Sequence, residues 1–220
     1  MSDVKGLVTI ESFGSEAIDK AELLLRGMPQ QLDKAIQASL KRVASAVRTE
    51  TTKAIGEKFD ISAANIRAKQ NVKMTYGVQN GAFTVNIRYR GRKIPLFRYN
   101  GTFPKYPKKD EGKTVAAVIT GQWRMVQPGV EASAHVFKST SPQRLNDTFV
   151  ATMPSGHTGI FERTGGVTST GSDEIKEKMG LSVPQMLWHK EVQDSISKKA
   201  EAVFTQRMEH ETLRILNGWG

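Results

Sequence analysis

Four histidines, His135, His157, His189 and His210, are the obvious candidates for chemistry. None stands in a His-Glu-x-x-His pattern or at ligand spacing from another, whereas a structural metal site needs several convergent donors. His210 and Glu211 read as ordinary surface chemistry on a helix. The chain has no cysteine, which removes disulfide scaffolds, thiolate zinc sites, cysteine nucleophiles and thiol redox chemistry. Pro154-Ser155-Gly156-His157 sets a serine two residues from a histidine, but neighbours in sequence are not thereby a nucleophile–base pair. A turn is expected there. Thr164-Gly165-Gly166 has the composition of an anion nest, and equally that of a flexible loop, which is the expectation. There is no G-x-S-x-G elbow, P-loop or G-x-G-x-x-G. No enzyme, metal or cofactor is expected.

Charge is more informative. The 220 residues hold 32 Lys and Arg against 22 Asp and Glu, a formal net charge of +10. Between Arg88 and Lys113 lie nine cations (Arg88, Arg90, Arg92, Lys93, Arg98, Lys105, Lys108, Lys109 and Lys113) against Asp110 and Glu111. Tyr89, Phe97, Tyr99, Phe103 and Tyr106 are interleaved. Basic residues with aromatics can track a nucleic-acid backbone and stack on bases. The alternative is a long loop whose aromatics pack on the sheet or on a neighbouring subunit while its charges stay solvated. Arg88, Arg90, Arg92, Lys93, Lys105, Lys108, Lys109 and Lys113 are the candidate contacts to DNA or another acidic surface. Phe97, Arg98, Tyr99, Phe103 and Trp123 are candidate subunit or partner contacts, since buried aromatic and Arg anchors dominate interfaces.

These residues must be held by elements with readable periods. Ala17, Ile18, Ala21, Leu24 and Leu25 predict a first helix. Leu32, Ile36, Leu40, Val43, Val47, Ala54 and Ile55 mark one face of a long helix from Pro29 to about Phe59. Phe83, Val85, Ile87 and Tyr89 alternate with Thr84, Asn86, Arg88 and Arg90, the clearest two-residue period in the chain. Asn71–Tyr76 is expected as its partner across Gln79-Asn80-Gly81. Further strands are expected at Thr114–Thr120, Gln122–Gln127, Val130–Lys138, Thr148–Met153 and Gly159–Arg163. Ser182 can cap a turn at Val183-Pro184. Val192, Ile196, Ala200, Val203, Phe204, Met208 and Leu213 mark a last helix.

The expectation is one α+β domain over 1–220, with long N- and C-terminal helices packed on one antiparallel β-sheet. Its parts are a helical part at 15–68 and a sheet at 70–163 with an extended basic arm at 91–113. A flexible loop at 164–181 and a C-terminal helix at 182–216 follow. Composition, 38% hydrophobic and 25% charged, is that of a globular chain. No window approaches a membrane span. Met1 to Ile10 lacks the apolar run of a signal peptide.

Thr148 to Gly165 reads TFVATMPSGHTGIFERTG and Ile175 to Leu187 reads IKEKMGLSVPQML. A strand ending F-V-A-x-M, then S-G-H-x-G-I-F-x-R, then G-x-S-V-P-Q-M resembles the tail-completion family of long-tailed phages, the family of minor tail protein Z of lambda-like phages. Leu181 stands where many members have proline. The motif covers the C-terminal 80 residues or so, and the rest agrees in layout. The resemblance implies a structural virion protein at the head-proximal end of the tail, made in the host cytoplasm. It would complete the tail for head joining and help position the DNA end. Its implied partners are copies of itself in a ring matching the six-fold tail, and tail or neck proteins such as the tail terminator and tube protein. The alternative is a sequence-independent nucleic-acid-binding or assembly factor.

Overall fold

The computed structural model describes residues 4–11, 16–68, 71–79, 82–99, 115–119, 122–126 and 132–218. In chain order they form β1 (Val4–Glu11), α1 (Glu16–Leu24), α2 (Pro29–Lys58), α3 (Ala63–Ala68), β2 (Asn71–Gln79) and β3 (Ala82–Gly91). A 3-10 turn (Leu96–Arg98) precedes β4 (Val115–Ile119), β5 (Gln122–Val126), β6 (Ala132–Ala134), β7 (Gln143–Leu145), β8 (Thr148–Thr152), β9 (Thr158–Val167) and β10 (Asp173–Glu177). Two helices close the chain, α4 (Val183–Met186) and α5 (Lys190–Leu216).

The class is α+β, and every strand pairing among the described residues is antiparallel. Where one antiparallel sheet is expected, the described strands form two three-stranded sheets, β1-β3-β2 and β10-β9-β8, and two pairs, β4-β5 and β6-β7. The chain divides into two compact units. The first holds Met1–Ile55, Arg67–Arg92 and Ser182–Gly220, and the second Gly56–Ile66 and Lys93–Leu181.

In the first unit β3 is central. Val85, Ile87 and Tyr89 are wholly buried, while Arg88 and Arg90 on the alternate face are exposed, as a strand with one wet face requires. Gly6 on β1 lies on the inner face, where an added Cβ would stand 3.2 Å from Pro184 Cβ. The missing side chain lets α4 approach the sheet. Ser182 starts α4 with a capping box: its hydroxyl accepts from the Gln185 N–H, and its own N–H donates to Gln185 Oε1 at 2.9 Å. Two orphan donors are thereby satisfied, and Val183, Pro184, Met186 and Leu187 are buried behind the cap.

Helix α2 buries Ile36, Leu40, Val43, Val47 and Ile55 at steps of three, four and eight, the stripe read from sequence. In α5 the stripe departs from that reading. Leu213 is 58% exposed, while Glu211 is buried. Glu211 lies between Arg207 at 2.6 Å and Arg214 at 2.9 Å. Two guanidinium groups make burial of that carboxylate tolerable.

The second unit contains β10-β9-β8. Met153 N–H donates to His157 O at 2.7 Å and Gly156 N–H to Met153 O at 2.8 Å, closing the β8–β9 turn. Gly156 there has φ +81°, a conformation glycine adopts without steric cost. The segment 164–181 is not the flexible loop that its composition suggests. It holds the end of β9, a turn with the Thr168 N–H to Ser172 O bond at 2.8 Å, and β10. Thr168 Oγ1 also accepts from the Ser172 N–H at 3.2 Å, so the hydroxyl-rich composition serves turn closure.

One buried pair in the first unit gives a directional test. Thr51 Oγ1 donates to Val47 O at 2.8 Å, and lies 3.0 Å from Tyr89 Oη. Threonine has one hydroxyl hydrogen, so Tyr89 must be the donor to Thr51. Tyr89→Phe removes the donor and leaves Thr51 bonded to Val47, an expected loss of about 1 kcal/mol. Thr51→Val strands the buried phenol and should cost more, up to about 3 kcal/mol. Urea unfolding of the two variants checks the order, and equal or inverted losses would refute this donor assignment.

Candidate functional site

The second unit gathers two candidate partner contacts and one of the four histidines. Phe97 and Arg98, in the 3-10 turn, and His157, immediately before β9, line one open pocket of about 290 Å³ with Asn65, Gly156 and Thr158. Asn65, on α3, positions the arginine. Its side-chain N–H donates to Arg98 O at 2.9 Å, and Arg98 Nη1 donates to Asn65 Oδ1 at 3.4 Å. His157 Nε2 stands 2.7 Å from Glu177 Oε1 on β10. Gly159 makes room for that carboxylate, since a Cβ there would meet Glu177 Oε1 at 2.5 Å.

His157 belongs to a packed cluster. Ser155 is exposed in the turn, and no hydrogen bond joins it to His157, whose Nε2 is engaged by Glu177. The His157 ring meets Phe161 edge-on at 6.4 Å, and Phe161 meets Phe149 at 6.2 Å. Arg163 lies 4.6 Å above the Phe149 ring and donates to Asp173 at 3.1 Å. The strand expected to end at this arginine runs past it to Val167. Among the described residues no cluster of His, Asp or Glu could hold a metal ion.

Tyr99 is a correction. As a partner contact it should be exposed, yet it is 1% exposed. Its hydroxyl donates to Leu181 O at 2.9 Å. Its ring lies against Gly180, where a Cβ would stand 2.7 Å from Tyr99 Cε2. Backbone bonds run beside it, from Gly180 N–H to Ile94 O at 2.8 Å and from Leu96 N–H to Lys178 O at 3.0 Å. Residues 94–99 of the expected arm are therefore packed chain, with Ile94, Pro95, Leu96 and Tyr99 buried.

The remaining candidates separate. Arg88 and Arg90 are exposed on the outer face of β3, and Arg92 and Lys93 are exposed just beyond it. Tyr89, interleaved with them in sequence, is on the opposite, buried face. Trp123 pairs with Val118 across the β4-β5 ladder. Phe103, Lys105, Lys108, Lys109 and Lys113 lie outside the described residues. Sequence reasoning missed Asn65 and Glu177, whose partners are 33 and 20 residues away, beyond any local pattern. No family model, curated protein or solved structure matches the chain.

Burial pushes the phenols of Tyr99 and Tyr89 above their ordinary value, although for Tyr89 nearby Arg48 opposes the shift. A group whose folded pKa is raised stabilises the fold fully below its unfolded pKa, about 10 for tyrosine. That stability declines as pH rises from there toward the folded value. Unfolding free energy should fall above about pH 10, by about 1.4 kcal/mol per pH unit for each phenol. Tyr99→Phe should make that alkaline decline shallower. Denaturant titrations between pH 8 and 12 check this, and an unchanged slope in the variant would refute it.

Proposed function

We propose that the chain is a structural protein of a long-tailed phage virion, a tail-completion component at the head-proximal end of the tail. It would help make the tail competent for head joining. The observation that carries this reading is what the motif residues do locally. Phe149, His157, Gly159, Phe161 and Arg163 belong to the stretch that resembles the tail-completion family, and they form one contiguous packing cluster with Glu177 and Asp173. The second half of the motif, Ser182 to Met186, builds the capped helix. A motif made of packing, turn and capping residues suits a protein whose work is assembly, and we propose no catalytic role for Ser155 or His157.

On this reading the partners are further copies of the chain, closed into a ring by heterologous contacts, with the tail terminator and tube protein as neighbours. Phe97 and Arg98 are half-buried at an open pocket and remain the candidate anchors in the second unit. Quantitative mass spectrometry of purified particles from the phage that encodes the chain is the test. About six copies per particle are expected for a ring matching a six-fold tail. Absence from the particle would overturn the proposal. Ser155→Ala in that phage should leave its titre unchanged, and a loss of infectivity with normal particle assembly would favour chemistry at the turn instead.

A further inference from the structure

The register of the first unit's sheet collects cations from three strands onto one face. Residues directly opposite in an antiparallel ladder share a face. Arg88 is opposite Leu7 on β1 and Lys73 on β2, and Arg90 is opposite Lys5 and Asn71. Lys5, Lys73, Arg88 and Arg90 are all exposed. Thr9, Thr75 and Asn86 continue the same face, with Thr9 donating to Asn86 Oδ1 at 2.9 Å. The only acid in the three strands is Glu11, at the far end opposite Thr84.

Two features of this face point to an anionic occupant. The cross-strand pair Lys73–Arg88 sets like charges with Cβ atoms about 5 Å apart, which destabilises a sheet and which an anion laid over the face would offset. Among the described residues of the three strands, no aromatic lies on this face: Tyr76, Phe83 and Tyr89 belong to the other face by register. Single-stranded nucleic acid is held on aromatic stacking platforms, and this face offers none. It offers guanidinium, ammonium, hydroxyl and amide donors, the groups that contact phosphate and sugar without reading sequence. We propose that the outer face of β1-β3-β2 docks the phosphate backbone of double-stranded nucleic acid, with Lys5, Lys73, Arg88 and Arg90 as its cationic contacts. The inference needs only this sheet and stands apart from the tail-completion reading.

The test is binding of the full chain to a mixed-sequence 30-base-pair DNA duplex between 50 and 200 mM salt. The face variant is Lys5→Thr/Lys73→Thr/Arg88→Thr/Arg90→Thr. The control is Lys41→Gln/Arg42→Gln/Lys198→Gln/Lys199→Gln, which removes the same charge from exposed helix positions. Binding by the parent chain should be sequence-independent and steeply salt-dependent. The face variant should bind at least about tenfold more weakly, with its log–log salt slope lower by about 3 to 4. Its melting temperature should be no lower than the parent's, because the Lys73–Arg88 like-charge pair is gone. Arg88→Lys/Arg90→Lys keeps the charges and should keep the slope, which guards against a misfolded quadruple variant. Equal losses in face variant and control would reduce the effect to net charge and overturn the proposal. So would tighter binding of a 30-mer of thymidine, or equally strong binding of polyglutamate, which would make the face an acidic-protein surface.

Discussion

A strand has two faces, and the register of β3 decides what each one does. Val85, Ile87 and Tyr89 occupy the inner face and Arg88 and Arg90 the outer. A slip of one residue would bring every inner side chain out and turn both guanidinium groups inward. Uncompensated burial of a charge costs several kcal/mol, so the alternative register is heavily penalised. The strand is bonded on both sides, to β1 and to β2, and the Tyr89 hydroxyl is tied to Thr51 on α2. The exposed cationic face therefore follows from the same alternation that builds the core. It cannot be altered by moving the strand, only by changing the residues.

The second unit is held by a different device, close approach at glycine. Tyr99 lies over Gly180, and Glu177 reaches His157 past Gly159. In each case the space that a side chain would fill is taken by a functional group from elsewhere in the unit. Tyr99 then fastens the stretch from Ile94 to Tyr99 along residues 178–181 through its own hydroxyl and the backbone bonds beside it. Arg98 is held at the pocket by the Asn65 amide next to this anchored stretch.

What could be read from sequence follows from how local the cause is. The alternation of β3 and the stripe of α2 are periodic over ten or more residues, and both were legible. Ser182 and Gln185 are three residues apart, and the cap was legible too. β1 was not, although it also alternates, because the contents of its faces are atypical. Gly6 is inward to admit Pro184, and Leu7 is 58% exposed. With no apolar inner side chain at Gly6 and an apolar outer one at Leu7, the hydrophobic signal of a strand vanishes. Lys5 was therefore not joined to Arg90, nor Lys73 to Arg88, since those pairings depend on long-range register. β10 was hidden because Gly, Thr and Ser signal turns without saying whether strands flank them. Tyr99 was misread because a segment rich in proline and charge has no period from which to tell buried from exposed.

The structural separation of aromatics from cations changes what the basic stretch can recognise. In sequence Arg88, Tyr89 and Arg90 look like a mixed surface that could both stack on bases and contact phosphate. In the sheet, alternation sends the ring to the core and leaves the cations outside. Stacking is thereby removed from this face and phosphate contact is kept. Placing Lys73 directly beside Arg88 also raises the energy of the face, and a ligand that binds only the folded state stabilises it by mass action. Under the proposal, the repulsion between Lys73 and Arg88 becomes part of the driving force for docking. A polyanion with one phosphate charge per about 1.7 Å of axis can neutralise all four cations at once. A single small anion cannot span them, so the arrangement favours an extended, regularly charged partner over a point ligand.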